Sequence, residues 1–492
     1  MRENATTTIS CDVAVAGLGA SGLMAAYGAA KAGARVVAID AAPSMAGTTN
    51  MRTSAAFAVG SSLQQSSPEP LGIEEYMAWI NKGTNYQSNQ KAMRAIIEAS
   101  GRAIDAFVEA GMPFDVDFER TDSNTPMMVR GGHLYGFNGP ERAEAFSRLA
   151  ESVGVQCIFN TALTGLIYDE NGIMAGILCD GEASRIEAGA VIIATGGFLG
   201  SPEEVAKRFA GASIVCGGNP LCKGAGINAA IEAGAQIGKC FSISMNEYGG
   251  ANPKASPSYS YRPGYNTNEA LRLPIFGGLL VDAQGERFVD EGVMCERTMF
   301  CCEPMLRSSC SYAICDEAFM RRWESEPVAH FMGDARMQGM FAEFFASDIR
   351  EQFAKAVEEG WAFSASSIEE IAERFELPRL PQTVAEYNEC CADGRDTLFF
   401  KDAKYLAAVA EPPFYCVQSS PCGWLSLGGI RCNGNMQALD SNGKPIPALF
   451  VAGSDADIFT SPYYAPGSAN GFAIGSGLIA GETAAKNVLG LS

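Results

Sequence analysis

The sequence predicts an α/β fold with a second, α+β domain inserted into the first. Three observations carry this expectation. A strand pattern, a small-residue helix pattern and another strand pattern follow one another within the first 40 residues. A group of short strand patterns lies between residues 155 and 194, and near residue 448 the chain returns, after a stretch of different composition, to a strand followed by an alanine- and glycine-rich helix. Strands alternating with helices call for a parallel sheet covered by helices, and a late return to the same pattern calls for an insertion.

Taken in order, Cys11 to Ala16 is an apolar, β-rich run, Ser21 to Ala32 is alanine-rich and helical, and Arg35 to Asp40 is a second apolar strand. Together they make a βαβ unit of Rossmann type. Val155 to Phe159, Gly165 to Tyr168, Ile173 to Leu178 and Ala190 to Ala194 then suit a meander that returns to a parallel strand. From about Asn246 to Gly423 the chain turns to proline-, tyrosine- and charge-bearing loops with helical stretches such as Ile368 to Glu376. The expected organisation is a first domain over residues 1–245, an inserted capping domain over 246–424 and the remainder of the first domain over 425–492. That remainder holds a strand, Ala448 to Ala452, and a helix from Ser468 to about Val488.

The bulk numbers bound the function. A length of 492 residues favours two domains and leaves room for a deep site. A formal charge of −20 with no basic stripe argues against a nucleic-acid partner. Apolar content of 47% against 19% charged is that of a globular enzyme, not a disordered chain. Met1 to Cys11 lacks the basic and apolar regions of an export signal, and no run of about 18 apolar residues occurs. A cytoplasmic protein without a membrane span is therefore expected, and its 16 cysteines should be free thiols. Cys301-Cys302 and Cys390-Cys391 do not have zinc spacing, no C-x-x-C-H haem attachment is present, and no metal site is expected.

Gly17-Leu18-Gly19-Ala20-Ser21-Gly22 falls between the first strand and the first helix, and Asp40 closes the next strand. This is the dinucleotide fingerprint in its required context. Gly17 permits a tight turn, Gly19 lets backbone approach a pyrophosphate, Gly22 lets helix and strand pack closely, and N–H groups at Ala20 and Ser21 face the phosphates. Asp40 is placed to accept hydrogen bonds from a ribose. Three further segments favour FAD over NAD. Gly47-Thr48-Thr49, with Ser54 beyond it, sets small hydroxyl residues where an extended FAD continues. Thr195-Gly196-Gly197 ends a late strand with glycines. Ser454-Asp455 precedes a helix whose start, Ser468 and Asn470, can stabilise negative charge on a reduced flavin ring.

With these residues in view, the chain resembles the flavoproteins of the fumarate reductase and 3-ketosteroid dehydrogenase superfamily over nearly its whole length. The markers are the fingerprint, Ala194-Thr195-Gly196-Gly197-Phe198, the run Gly285-Glu286-Arg287-Phe288-Val289-Asp290-Glu291, Leu427-Gly428-Gly429 and the Gly475 to Ala485 helix. The resemblance implies a Rossmann-type FAD-binding domain with an inserted capping domain. It also implies hydride exchange between flavin N5 and a carbonyl-activated C=C bond, on a small, flat, conjugated substrate, with electrons passing to or from a separate partner. Some relatives bind FAD covalently through a histidine; none stands near Thr49, which implies noncovalent FAD.

The family's catalytic residues carry over unevenly. Soluble fumarate reductases clamp a dicarboxylate with two histidines and an arginine. Here the only histidines are His133 and His330, Trp424 or Leu425 stands where one histidine is due, and Tyr463 or Tyr464 where the arginine is due. A dicarboxylate substrate is not implied. Glu269 and Arg272 match the relay glutamate and arginine, and Arg297, six residues after Glu291, matches the proton-donating arginine after a two-residue insertion. The alternative for these three is a structural ion-pair set. Tyr463-Tyr464 before Ala465-Pro466-Gly467-Ser468 resembles the tyrosine-glycine loop of the ketosteroid dehydrogenases, and a phenol with a pKa near 10 is a carbonyl donor or acid. A simple turn is the alternative. The tyrosine of the steroid 4-dehydrogenase branch is Met294 here, whereas Arg297 fits that branch's pattern too, so the resemblance implies an enone substrate, steroid-like or not. Tyr248, Tyr259, Tyr261 and Tyr265 suit a loop over a flat substrate, and His133 lies in another loop. Two other functions fit the same residues: reduction of an unsaturated carboxylate of the urocanate or aryl-acrylate kind with Arg297 as proton donor, and a noncatalytic electron-transfer subunit. Denaturing the purified yellow protein is expected to leave the flavin in the supernatant; colour retained on the precipitate would mean a covalent link.

Overall fold

A computed structural model describes residues 8–48, 55–67, 70–84, 86–114, 133–135, 140–243, 247–250, 255–256, 266–296, 305, 310–333, 338, 348–458 and 468–491. Two compact units make up the chain, one of Met1–Glu204, Gly218–Ser244 and Leu425–Ser492, the other of Val205–Gly217 and Met245–Trp424.

The first unit is built on an eight-stranded sheet. Its strands are β1 (Thr8–Ala16), β2 (Val36–Ile39), β3 (Gln156–Ile158), β4 (Ala162–Tyr168), β5 (Met174–Asp180), β6 (Arg185–Ile193), β7 (Gln437–Leu439) and β8 (Pro445–Val451). The main path runs β7-β8-β6-β1-β2-β3, and β4 pairs with β5, which pairs with β6. Strands β8, β6, β1, β2 and β3 run parallel: Ala14 lies between Val37 and Val191, Cys157 beside Ala38, and Ile192 beside Phe450. Val13 to Ala16 and Ala190 to Ile193 are buried throughout, as expected of strands covered on both faces. The antiparallel meander β4-β5-β6 returns the chain to the parallel set, as the strand pattern between residues 155 and 194 predicts.

Four helices belong to the core of this unit: α1 (Ala20–Lys31), α2 (Gln90–Glu109), α3 (Pro140–Ser152) and α4 (Ser468–Leu489). Their apolar faces, among them Leu23, Met24, Tyr27, Ala103, Phe107, Phe146, Leu149, Ile474 and Leu478, form one cluster. Helices α1 and α4 approach backbone to backbone. A Cβ at Gly477 would come within 2.1 Å of the Ser21 carbonyl oxygen, and one at Gly481 within 2.0 Å of that of Ala25. The small residues of these two helices are thus a contact requirement as well as a helix-forming composition.

The second unit carries a six-stranded sheet centred on the strand Phe414–Gly423, with Ser311–Asp316 and Leu279–Val281 antiparallel in succession on one side and Glu247–Gly250 on the other. The helices Ile368–Phe375 and Leu380–Asp393 pack on it through Ile371, Leu380, Val384 and Tyr387. One segment departs from the expected boundaries. Val205–Gly217, placed by sequence in the first domain, groups with the second unit because Val215 and Cys216 add a parallel strand beside Cys422 and Gly423, and Gly217 N–H donates to the Gly423 carbonyl at 2.8 Å. Such long-range pairing leaves no local pattern to read. Among the described residues no helix is long and apolar enough to cross a membrane, and fourteen cysteines are free thiols.

Replacing Gly477 by Val is expected to cost about 3 kcal/mol or more, as overpacking between backbones that cannot yield. Gly165→Ala, where the new methyl would meet only Leu178 carbons at 3.7 Å or beyond, serves as the control. Equal melting temperatures for the two variants would count against the close crossing.

Candidate cofactor site

The site of the first unit is assembled where the parallel strands end, the place at which doubly wound sheets take their ligands. β1 runs into Gly17, whose φ of +103° suits glycine and whose missing side chain is required: a Cβ would fall 2.1 Å from the Ala194 carbonyl oxygen. A Cβ at Gly22 would fall 1.8 Å from the Gly17 carbonyl oxygen. The turn therefore lies pressed between α1 and the end of β6. Gly19 is the N-cap of α1 in an extended conformation, no side chain caps the helix, and its first turn holds no acidic residue. Ala20 and Ser21, both buried, open that turn. Uncapped N–H groups and the positive end of the helix dipole make an anion site.

Asp40, at the end of β2, is nearly buried and accepts N–H groups from Leu18 at 2.7 Å and Ala42 at 2.8 Å. Burial pushes its carboxyl above the usual range, and these two donors pull it back. It thus holds the fingerprint turn in place, a role beyond the ribose contact that the sequence predicts. Thr48 donates its hydroxyl to the Met45 carbonyl at 2.9 Å, and the carbonyls of Thr48 and Gly47 accept from the Asn219 amide at 3.1 and 3.4 Å. Asn219 lies 171 residues further along the chain than Thr48, without a motif to mark it.

The turn after β6 and the turn after β8 are joined by one buried carboxylate. Asp455 is fully buried and accepts the Thr195 hydroxyl and the Gly196 and Gly197 N–H groups, each at 3.0 Å. Burial raises its pKa against the pull of these donors. Thr195 Oγ1 accepts in turn from Gly226 N–H at 3.2 Å. Ser426 Oγ accepts from Phe198 N–H at 3.0 Å, and Ser476 Oγ from Gly453 N–H at 3.0 Å. Sequence reasoning places Thr195, Gly196, Gly197 and Asp455 in one site; the structure brings them together by bonding them to each other, and adds Ser426, Ser476 and Gly226. Ser454 is half-buried in the same turn. At the start of α4, Ser468 and Asn470 are buried, and among the described residues the Ser468 hydroxyl has no hydrogen-bond partner. A buried hydroxyl left in that state costs about 1–3 kcal/mol. This orphaned group, the uncapped α1 terminus and the Cβ-free turn at Gly17 fit an extended dinucleotide.

In the second unit, Asn268 caps a short turn, accepting Ala270 N–H at 2.9 Å, and this turn carries Glu269 and Arg272. The two pair at 2.5 Å with side chains 12% and 1% exposed. The run from Gly285 to Glu291 is used differently. Arg287 lies 2.8 Å from both Glu291 and Asp396, and its guanidinium stacks 4.9 Å from the rings of Tyr387 and Phe399. Lys401 lies 3.5 Å from Glu291 and donates to the Tyr387 hydroxyl and the Gly277 carbonyl. Burial disfavours charge on Glu291, yet Lys401 and Arg287 outweigh it and hold its carboxyl below the usual range. Met294 is buried, and His330 is an exposed partner of Glu326 at 3.2 Å. Thr49, Ser54, Arg297, Tyr463, Tyr464, Tyr259, Tyr261 and Tyr265 lie outside the described residues, and of His133 and Tyr248 only the backbone strands are described.

Glycine turns at strand ends, an open helix terminus and a buried carboxylate tying the turns together define a dinucleotide-binding protein of the doubly wound type. The model of the FAD binding domain family matches residues 12–471. The chain belongs to that family and is an FAD-dependent oxidoreductase. The vinyl phenol reductase of Lactiplantibacillus plantarum is 26% identical to it over 97% of both chains. In fold it is similar to a flavocytochrome c3 fumarate reductase in an open conformation, with 21% identity, a TM-score of 0.69, and 98% of this chain and 79% of that one covered. It is likewise similar to the 3-ketosteroid delta1-dehydrogenase of Sterolibacterium denitrificans, with 16% identity, a TM-score of 0.69, and 97% and 99% covered.

Asp455→Asn should replace charge-assisted hydrogen bonds by weaker ones and turn an amide N–H₂ toward other donors. The expected result is an FAD dissociation constant raised about tenfold or more. Unchanged flavin affinity in that variant would remove Asp455 from the support of the site.

Proposed function

We propose that the protein exchanges hydride with a carbon–carbon double bond activated by a conjugated carbonyl, its own side chains handling the proton at the adjacent carbon. The observation that carries this reading is the Glu269–Arg272 pair at 2.5 Å, with Arg272 buried. An arginine is a poor acid unless a carboxylate resupplies its proton, and this is the arrangement such a relay needs. Gly17, Gly19, Ala20, Ser21 and Gly22 would hold the FAD pyrophosphate, Asp40 the ribose, and Gly47, Thr48, Thr49 and Ser54 the extended middle of the cofactor. Thr195 to Gly197 with Ser454 and Asp455 would support the flavin half, and Ser468 and Asn470 its ring. FAD, when bound, gives or takes the hydride at N5. The protein supplies or receives the proton through Tyr464 or Tyr463, or through Arg297 backed by Arg272 and Glu269. The substrate is small, flat and conjugated, and electrons come from or go to a separate partner in the cytoplasm.

The formed pair also favours a second reading, reduction of an unsaturated acid or aryl-alkene with Arg297 as proton donor. The naming of a 26% identical relative as a vinyl phenol reductase supports it. The test is anaerobic photoreduction of the holoenzyme followed by methyl vinyl ketone, a 3-keto-4-ene steroid, cinnamate and 4-vinylphenol in turn. Reoxidation by at least one is expected; reoxidation by none would favour an electron-transfer subunit. Tyr464→Phe removes one hydroxyl, and Arg297→Lys keeps the charge but loses the planar fork. The variant that lowers the reoxidation rate by about 10²-fold identifies the proton carrier. Two active variants would exclude both residues.

A further inference from the structure

Strand pairing fixes the turn after β1 against its neighbours, but it does not fix the segments on either side of that turn against each other. In the sheet, β2 and β6 are separated by β1, so the segments that follow them start about 10 Å apart. The segment after β2 forms the short turn Met45–Gly47, with Thr48 at its C-terminal end. A turn of three residues cannot use its last carbonyls internally and does not persist on local bonding. One side-chain amide meets both needs: Asn219 Nδ2 donates to the carbonyls of Thr48 at 3.1 Å and Gly47 at 3.4 Å.

The stretch that carries Asn219 is itself held on the turn after β6. Gly200 N–H donates to the Cys222 carbonyl and Gly224 N–H to the Gly197 carbonyl, both at 2.8 Å. Contact is close enough that a Cβ at Gly200 would collide with the Pro220 carbonyl oxygen, and one at Gly196 would come within 2.6 Å of Cys222 Sγ. Within the stretch, Asn219 Oδ1 accepts Leu221 N–H at 3.1 Å, and the Asn219 carbonyl accepts Cys222 N–H at 3.1 Å. These bonds settle which way the amide points. Its oxygen faces an N–H and its nitrogen faces two carbonyls, so the reverse orientation would set donor against donor and acceptor against acceptors.

The adenosine end of the site has its own support, because Asp40 accepts from Leu18 and Ala42 and holds the fingerprint turn. The two turns joined through Asn219 are those that would hold the extended middle of FAD and its flavin half. We infer that Asn219 is a positioning residue for the cofactor: by fixing these two turns it sets the affinity for the flavin-bearing part of FAD and leaves the adenosine part unaffected. The inference rests on the reading of Gly47–Thr48 and Thr195–Gly197 as cofactor-binding turns. An extended ligand gains from its second half only when the two halves of its site already stand at the right spacing.

The test compares Asn219→Ala and Asn219→Asp with Asp455→Asn as reference, each stripped of flavin and titrated separately with FAD and with ADP. Asn219→Ala removes both bonds, and Asn219→Asp keeps the shape but turns an oxygen toward two carbonyls. The expected result is an FAD dissociation constant raised about tenfold in Asn219→Ala, the equivalent of one or two ordinary hydrogen bonds, and further in Asn219→Asp. The ADP dissociation constant should stay within about twofold of that of the unmodified protein, and the melting temperature of the flavin-free protein should stay near its unmodified value. Unchanged FAD affinity in both Asn219 variants, alongside weakened binding in Asp455→Asn, would overturn the inference and leave the reading of the turns standing. Losses of ADP affinity and melting temperature in step with the loss of FAD affinity would also overturn it, as a contact that serves the fold alone. Full FAD affinity in all three variants would remove the reading of the turns, and the inference with it.

Discussion

The cofactor-binding unit depends on backbone meeting backbone at the first glycine turn. β1 must end close enough to β6 that the Gly17 position touches the Ala194 carbonyl, and α1 must leave the turn so steeply that Gly22 lies on the Gly17 carbonyl. α4 then presses on α1 through Gly477 and Gly481. A side chain at any of these positions would push the elements apart by ångströms. The closeness leaves the first N–H groups of α1 uncapped beside the strand ends, so the packing that makes the core also makes the anion site.

Asp455 extends the same logic to the other half of the site. Two turns from distant parts of the sequence have to hold a fixed relation, and each presents backbone N–H groups that are costly to bury unpaired. One carboxylate accepting from Thr195, Gly196 and Gly197 satisfies three donors and joins the turns in a single step. Its own burial would be unfavourable without them, as the opposing effects on its pKa indicate. In the second unit, buried charge is handled by compensation in numbers: Arg287, Lys401, Glu291 and Asp396 supply two charges of each sign, with Tyr387 and Phe399 stacked on the guanidinium. Such a cluster adds little net stability over an apolar filling, but loss of any one member would be costly, and the arrangement specifies one packing of the chain around it.

The sequence by itself determined the features that act over short range. The βαβ unit, the glycine fingerprint, Asp40 at its strand end and the Glu269–Arg272 spacing are all set by neighbours within about 30 residues, where periodicity and turn chemistry are legible. The family resemblance rested on such local runs, and the family match spans the same length. Tertiary structure alone decided what depends on contacts between distant segments. It moved Val205–Gly217 to the second unit through a strand beside Cys422, brought Asn219 to the carbonyls of Gly47 and Thr48, and turned the Asp455 carboxylate onto the Thr195–Gly197 turn. It also showed that Arg287 and Glu291, read only as a family marker, are half of a buried ion cluster completed by Asp396 and Lys401. A buried carboxylate or a short parallel strand leaves no periodic trace in the chain, because its partners are chosen by proximity after folding and not by spacing along the sequence.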